Sequence, residues 1–453
     1  MPLNIDCFKA YDVRGQIPNQ LNSDIAYRIG NATAEFLNAK SIVLGRDIRL
    51  SSEELANAVA AGVNEAGADA IDIGVCGTEG VYFATGDLQA DGGIMVTASH
   101  NPADYNGLKL VREKSKPISG DTGLLDIRRI AEGDGRKKSD TQGRRIEKDV
   151  SERYIARLLS FIDTGILKPL KIVTNAGNGG ASIALDSLEP HLPFEFIKIH
   201  HDPDGNFPNG VPNPMLEENR GSTVDAIKES GADFGIAWDG DYDRCFFFDE
   251  TGRFIEGYYI VGLLAAALLS KNPNNSIIYD PRLTWNTIEI VTESHGKPIQ
   301  SKSGHSFIKQ VMREHDALYG GEMSAHHYFR DFFYCDSGMI PWLLVAQLVS
   351  TSGKSLSQLV DDRMRKFPTS GEINRQVADT SRAIAAITEI YAGSAKSIDR
   401  SDGISLEFDD WRFNLRASNT EPVIRLNVES RADAALVESK VNEILDLLEK
   451  SSR

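Results

Sequence analysis

A chain of 453 residues carries a formal net charge of −16, from 49 basic and 65 acidic side chains. That acidic balance disfavours a polyanion such as nucleic acid as the main partner, but not a small phosphorylated ligand gripped by local cations. At ~150 residues per domain the length predicts roughly three domains, or four.

The N-terminal MPLNIDCFKAYDVRG has no apolar core of the kind a signal peptide needs. Cys7, Cys76, Cys245 and Cys335 lie far apart without a CxxC pair, which suggests neither a zinc site nor a disulfide framework and fits a reducing cytoplasm. A loose repeat follows. SIVLGRD (41–47), KIVTNAG (171–177) and SIIYDPR (276–282) are short β-branched runs that read as buried strands. Later in each block a second apolar run, GGIMVTASH, DFGIAWDGD or DALYGGEMS, leads straight into a polar motif. A helical stretch separates the two strands. In the first block it spans residues 51–66, with Ser51 and Glu54 at capping-box spacing and Gly67 as the stop. Strand, helix, strand is the pattern of α/β layers, whose ligands bind beyond the carboxyl ends of the strands.

The polar segment 133–145 reads as a surface connection, and a further boundary falls near residues 254–258. The most apolar segments, 258–269 and 340–349, fall short of the ~20 residues that span a bilayer and read as buried helices. From Phe367-Pro368 onward, strand-like FNLRASN and VIRLNVES precede a helix over 433–448. The expected architecture is three similar α/β mixed-sheet domains, 1–148, 149–254 and 255–366, and a smaller C-terminal α+β domain, 367–453, around a central cleft.

Chemistry concentrates in the polar motifs. TASHNP (97–102) places Ser99 beside His100 at a strand end, and Pro102 stops the strand. DGDYDR spaces Asp239, Asp241 and Asp243 at alternate positions, and three crowded carboxylates repel unless a cation sits between them. Oxygen-only ligands select a hard cation, Mg²⁺ or Ca²⁺. Glu250 falls where an EF-hand has its last ligand. However, Arg244 stands at the position of the turn glycine, and residues 245–248 read as a strand. A phosphoserine at 99 would carry about −2 charge, which Mg²⁺ held by the aspartates would neutralise as the phosphoryl group departs. Arg244 is placed to steady the same region. In GEMSAHH (321–327), Glu322 and Ser324 suit sugar hydroxyls, and His326 and His327 are candidate proton carriers, one of them structural. SKSGHSF (301–307) precedes a helix, so its backbone amides suit an anion; His305 is either a ligand contact or a capping residue. RASNTEP offers Arg416, Ser418, Asn419 and Thr420 as phosphate donors, with Arg425 just beyond. Gly353-Lys354-Ser355 is no P-loop, since Leu348 stands where its first glycine belongs.

YDVRG, TASHNP with NGLK following, DGDYDR, GHSF, GEMSAHH and RASNTEP, in that order, resemble the α-D-phosphohexomutase family over nearly the whole chain. The resemblance implies four domains around a deep cleft and a phosphoserine at Ser99. It implies one Mg²⁺ per chain on Asp239, Asp241, Asp243 and the Ser99 phosphate. Arg14, His100 and Lys109 would line the transfer site, with Lys109 and His326 as general acid and base. Glu322 and Ser324 would hold sugar hydroxyls. Arg416, Ser418, Asn419, Thr420 and Arg425, helped by Ser303, Gly304 and His305, would grip the phosphate not transferred. Arg244 and Arg282 are further substrate contacts. The implied reaction interconverts mannose 6-phosphate and mannose 1-phosphate through a hexose 1,6-bisphosphate, in the cytoplasm, without nucleic-acid or membrane partners. Glucose phosphates are the alternative substrates. Two other classes stay open: an aspartyl-phosphate enzyme with Asp239 as nucleophile, and a calcium-dependent sugar-binding protein.

Overall fold

The computed structural model describes residues 4–133, 137–417 and 423–451. The chain divides into two compact units, Met1–Phe254 with His326–Ser355, and Ile255–Ala325 with Leu356–Arg453.

In the first unit, Ser41–Arg46 runs parallel to Asp69–Val75 on one side and to Gly92–Val96 on the other, and Tyr105–Arg112 follows antiparallel. Val13–Gln16 extends this sheet beyond Tyr105–Arg112, and Arg145–Glu147 extends it beyond Asp69–Val75. The continuous apolar run of Gly92–Val96 is buried throughout, as a strand covered on both faces requires. The second sheet repeats the order. Lys171–Asn175 lies between Glu195–Ile199 and Phe234–Trp238, all parallel, and Cys245–Phe248 pairs antiparallel with the last. In the second unit, Ser276–Tyr279 lies between Lys297–Gln300 and Tyr319–Gly321, again parallel. The repeated mixed-sheet α/β plan expected from the sequence is therefore present.

Two details correct that expectation. Each block holds an extra strand between two helices: Asp69–Val75, Glu195–Ile199 and Lys297–Gln300. These strands lie outward of the central one and are only half-buried, so they need no continuous apolar run to announce them. The capping box at Ser51 does not form either. The helix Ser52–Glu65 starts without a side-chain cap, and Ser51 Oγ instead accepts from Asn106 Nδ2 at 2.8 Å, while Glu54 accepts the Ser23 hydroxyl. Gly67 does end the helical stretch, at φ +94°.

The apolar segments are helices, Gly257–Lys271 and Ile340–Ser352, with most residues buried. No described helix is long and apolar enough to cross a membrane. The C-terminal sheet is wholly antiparallel, ordered Ile373–Gln376, Val423–Ser430, Trp411–Ala417, Ile404–Glu407, Ser397–Asp399. Helices Thr380–Tyr391 and Ala434–Ser451 complete this α+β domain, whose core includes Ile387, Phe413, Leu415, Ile424, Ile444 and Leu448.

Within the second unit, the fully buried Glu429 fastens this sheet to the loop after Ser276–Tyr279. Its Oε1 accepts from Arg412 Nη1 at 2.8 Å and Thr284 N at 2.7 Å, and its Oε2 accepts the Tyr258 hydroxyl. Arg412 also donates to the carbonyls of Pro281 (2.8 Å) and Arg282 (3.0 Å). Glu429→Ala leaves the buried Arg412 charge without its partner, a loss of about 3–5 kcal/mol. Guanidinium denaturation should show a clearly lower midpoint for this variant; an unchanged midpoint would contradict the role given to Glu429.

Candidate functional site

The first unit gathers Arg14, Ser99, His100, Lys109, Asp239, Asp241, Asp243, Arg244 and His326. Ser99 sits at φ +52°, in the left-handed region that a serine adopts only under constraint. The constraint is Arg49. Its guanidinium donates to the carbonyls of Ser99 (2.9 Å), Asn101 (2.6 Å), Pro102 (2.7 Å) and Tyr105 (3.0 Å). Asp47 anchors it, accepting the Arg49 N–H at 3.0 Å with its other oxygen 3.4 Å from Nε. Arg14 adds a second grip through the Ala98 carbonyl (3.3 Å) and the Asn101 amide oxygen, and Asp12 holds its Nε at 2.8 Å.

Strand Phe234–Trp238 delivers the aspartates to this loop. Ser99 Oγ donates to Asp239 Oδ2 at 2.9 Å. A Cβ on Gly240 would lie 2.4 Å from the Ser99 carbonyl oxygen, so only glycine permits the approach. Lys109, on the strand beside the one that leads to Ser99, places Nζ 2.6 Å from Asp241 Oδ2 and 2.7 Å from Asp243 Oδ2. Thr78 donates its hydroxyl to Asp241. Arg244 holds Asp239 Oδ2 through Nε at 2.8 Å and donates to His100 Nδ1.

These five charged groups are each at most 8 % exposed, and three carboxylates face two cations. Burial works to raise Asp239, but the Arg244 guanidinium outweighs it and holds Asp239 well below the carboxylate range. Burial, then Asp241, push Asp243 up to about 6. Burial works against the Lys109 ammonium, but its two carboxylates prevail and keep it charged. His100 is 36 % exposed at its ring, yet desolvation of its inner edge and the Arg244 charge lower it to about 4. Its Nδ1 accepts from Arg244, so the ring is neutral with its proton on Nε2.

The residual negative charge and the donor set fit a divalent cation. Ligand oxygens of the three aspartates lie within 4.8 Å of one another. Asp241 Oδ1 and Asp243 Oδ1 are buried without a hydrogen-bond partner among the described residues. An all-oxygen set of this kind suits a hard ion. Cys245–Phe248 is a strand, which excludes the EF-hand arrangement. His326 Nδ1 lies 2.9 Å from Asp336 Oδ2 and 3.9 Å from Asp243 Oδ1. His327 is fully buried in strand His327–Phe329 and is the structural member of the pair.

The second unit holds the remaining candidates. Arg282 is 3 % exposed and binds Asp280 through Nε (2.8 Å) and Nη2 (3.0 Å), and Nη2 reaches Glu322 Oε1 and Ser324 Oγ, both at 3.2 Å. Gly304 N donates to Glu322 Oε1 at 3.0 Å, so this amide is engaged by a carboxylate. Ser303 Oγ is buried without a hydrogen-bond partner among the described residues, and His305 opens the helix His305–Glu314. Glu372 accepts from Arg416 Nη2 at 3.0 Å and lies 3.6 Å from Arg282 Nη1 and 3.5 Å from Arg425 Nη1. Burial raises Glu372, but the three guanidiniums outweigh it and hold it below its ordinary range. Ser418, Asn419 and Thr420 lie outside the described residues.

Sequence reasoning missed Arg49, Thr78, Asp336 and Glu372. A signal existed for Arg49: Asp47-Ile48-Arg49 and Asp280-Pro281-Arg282 occupy the same place in two repeats. Asp336 and Glu372 carry no motif that distinguishes them among 65 acidic residues.

Comparison with known proteins places this geometry. Four domain models of the phosphoglucomutase/phosphomannomutase family match in order: alpha/beta/alpha domains I, II and III over residues 6–137, 152–252 and 256–367, and the C-terminal domain over 372–447. A phosphomannomutase of Salmonella montevideo is 59 % identical over 452 residues, covering 98 % of this chain and 99 % of the relative. A Xanthomonas campestris protein named for phosphohexose mutases is 58 % identical over 446 residues, covering 98 % and 100 %. The crystal structure of a phosphoglucomutase/phosphomannomutase family protein from Burkholderia thailandensis superposes with a TM-score of 0.89 at 32 % identity, covering 100 % of this chain and 99 % of that one.

The burial of His327 generates a pH prediction. Burial, then His326, push its imidazole down to about 3. The folded value lies below the unfolded ~6.5, so the stability linked to neutral His327 is intact above pH ~6.5 and is lost as pH falls toward 3, on the order of 3–5 kcal/mol in all. Replacing His327→Gln should make the fall in denaturation free energy across that window shallower. An identical slope in both proteins would contradict it.

Proposed function

Because the chain belongs to the phosphoglucomutase/phosphomannomutase family, we propose that it interconverts mannose 6-phosphate and mannose 1-phosphate through a phosphoserine at Ser99 and a hexose 1,6-bisphosphate. The observation that carries this reading is the 2.9 Å contact between Ser99 Oγ and Asp239, inside a buried cluster with one negative charge in excess of its cations. Mannose is favoured by the relatives named phosphomannomutase. The similarly close phosphohexose mutase keeps glucose phosphates as the alternative.

Asp239, Asp241, Asp243 and a Ser99 phosphate oxygen would hold one divalent ion, for which we take Mg²⁺; when bound, it supplies charge neutralisation at the phosphoryl group. Arg49 and Arg14 fix the serine loop, so Ser99 Oγ keeps its place while the sugar turns. In the transfer, the Ser99 Oγ–P bond breaks and a bond from phosphorus to a sugar hydroxyl oxygen forms. The hydroxyl proton passes to His326 Nε2, because Asp336 engages Nδ1 and so leaves the lone pair on the other nitrogen. Lys109, held charged by two carboxylates, returns a proton to Ser99 Oγ. His100, neutral, accepts from Arg244 through Nδ1 and keeps that guanidinium beside Ser99 Oγ. The return step reverses these roles.

Glu322 and Ser324 take sugar hydroxyls. Arg416, Ser418, Asn419, Thr420 and Arg425, with Ser303, Gly304 and His305, grip the phosphate that is not transferred. Glu372 keeps the guanidiniums of that grip aligned. Arg244 and Arg282 act as positioning residues, since their guanidiniums are buried against carboxylates. Four free cysteines support a cytoplasmic setting.

Incubation with ³²P-labelled hexose 1,6-bisphosphate should label the native protein and not the Ser99→Ala variant, whose turnover of mannose 1-phosphate should fall at least ~1000-fold. Label retained by Ser99→Ala would move the phosphoryl acceptor to Asp239 and overturn this reading.

A further inference from the structure

The three α/β repeats share a turn after their first strand, and the second repeat departs from it. Asp47 Oδ1 accepts the N–H of Arg49 at 3.0 Å, and Asp280 Oδ1 accepts that of Arg282 at 2.9 Å. Each arginine then folds its guanidinium back onto that aspartate, Nε to carboxylate 3.4 Å and 2.8 Å. In the second repeat Asn175 Oδ1 accepts the N–H of Gly177 at 2.9 Å, so the same turn forms. Its third residue is now glycine, at φ +57°, and carries no guanidinium.

A cavity of about 300 Å³ opens against Asn175 and Gly177. That volume is within the range of small-molecule sites. It lies across the carboxyl ends of all three parallel strands of the second sheet. Asn175 and Trp238 end two of them, and His200 directly follows the third, Glu195–Ile199. This is where ligands bind in open α/β sheets. The remaining wall is the long connection after His200, which has neither helix nor strand until residue 217; connections of that length inside compact domains tend to be functional.

We propose that this cavity is a binding site for a neutral, unphosphorylated sugar, separate from the phosphoserine centre. Its lining is the wrong chemistry for phosphate and the right chemistry for hydroxyls. None of its described lining residues is lysine or arginine. Instead the lining holds the Asn213 amide, the Asn219 amide oxygen (its Nδ2 donates to the Asn213 carbonyl at 3.1 Å), the Ser222 hydroxyl and the Glu218 carboxylate, groups that together donate to and accept from vicinal hydroxyls. Asn213 Oδ1 is buried and has no hydrogen-bond partner among the described residues, an unmet acceptor that costs free energy until a donor arrives. The Trp238 Nε1–H is engaged by the Gly338 carbonyl at 2.9 Å and the residue is fully buried, so it adds no unmet polar group to the lining. A wall of amide, hydroxyl and carboxylate groups, with no lysine or arginine among its described residues, matches the hydroxyls of an uncharged sugar.

The site leans on the transfer centre. A Cβ at Gly177 would lie 2.3 Å from Pro212 Cβ, and Pro212 Cγ lies 3.8 Å from the Cβ position of Gly240, whose turn carries the aspartates. From the same connection, the Phe207 ring packs 5.2 Å from the Arg49 guanidinium that holds the serine loop. A sugar seated here orders a segment that touches both halves of the phosphoryl-transfer site.

The test is isothermal titration of the full chain with D-mannose and with D-glucose, in the presence of saturating hexose 1,6-bisphosphate to occupy the transfer site. The readout is heat of binding, which does not depend on the mutase reading. At least one of the two sugars should bind saturably in the millimolar range. Affinity should fall at least ~10-fold in Asn213→Ala and in Ser222→Phe, and be unchanged in Arg416→Ala. Ser222 is exposed on a helix end, so its variant decides the matter if Asn213→Ala fails to fold. Absence of saturable binding for both sugars, loss of it in Arg416→Ala, or its retention in folded Asn213→Ala or in Ser222→Phe would overturn the proposal.

Discussion

Three carboxylates buried against two cations are the constraint around which the first unit is organised. Asp239, Asp241 and Asp243 have almost no contact with solvent, and Lys109 and Arg244 leave one negative charge uncompensated. An isolated buried charge is expensive, and a protein keeps one only where a ligand or ion completes it. Much of the surrounding structure maintains this state. Gly240 allows the aspartate turn to touch the serine backbone, Thr78 holds Asp241, and Arg244 holds Asp239. The serine loop is in turn held by a guanidinium that reads four carbonyls and contacts no part of the aspartate cluster in the hydrogen-bond pattern described.

The repeated turn after the first strand of each α/β domain shows how one local scaffold carries different end groups. In the first repeat its arginine holds the Ser99 loop. In the third it joins Asp280, Glu322, Ser324 and Glu372 into one network. In the second it is absent, and a polar cavity lies against the turn. The backbone hydrogen bond from side-chain oxygen to the amide two residues on is common to all three, so the scaffold persists while its chemical end group changes.

How much of this was legible in the sequence depended on the physical signal. The central strands were readable because burial on both faces demands continuous apolar runs, as in Gly92–Val96 and Phe234–Trp238. Asp69–Val75, Glu195–Ile199 and Lys297–Gln300 were not, because a half-buried strand tolerates Asp, Glu, Lys and Pro. Ser99 and the Asp triplet were readable because their spacing is itself a chemical statement. Ser51 and Glu54 had the spacing of a capping box, but tertiary partners Asn106 and Ser23 took their side chains. Arg244 and Arg282 were expected as substrate contacts from the family resemblance; the structure shows in addition that carboxylates hold both guanidiniums. Asp336 and Glu372, single acids far in sequence from the groups they align, left no local trace.

The central claim is that a serine phosphate and a divalent ion share the aspartate cluster. Its most direct test is the ³¹P resonance of the phosphorylated protein during titration with Mn²⁺. The account predicts that one equivalent broadens the Ser99 phosphate signal beyond detection, and that Asp241→Asn abolishes the effect at the same concentration. A signal that stays sharp with the metal bound would contradict it.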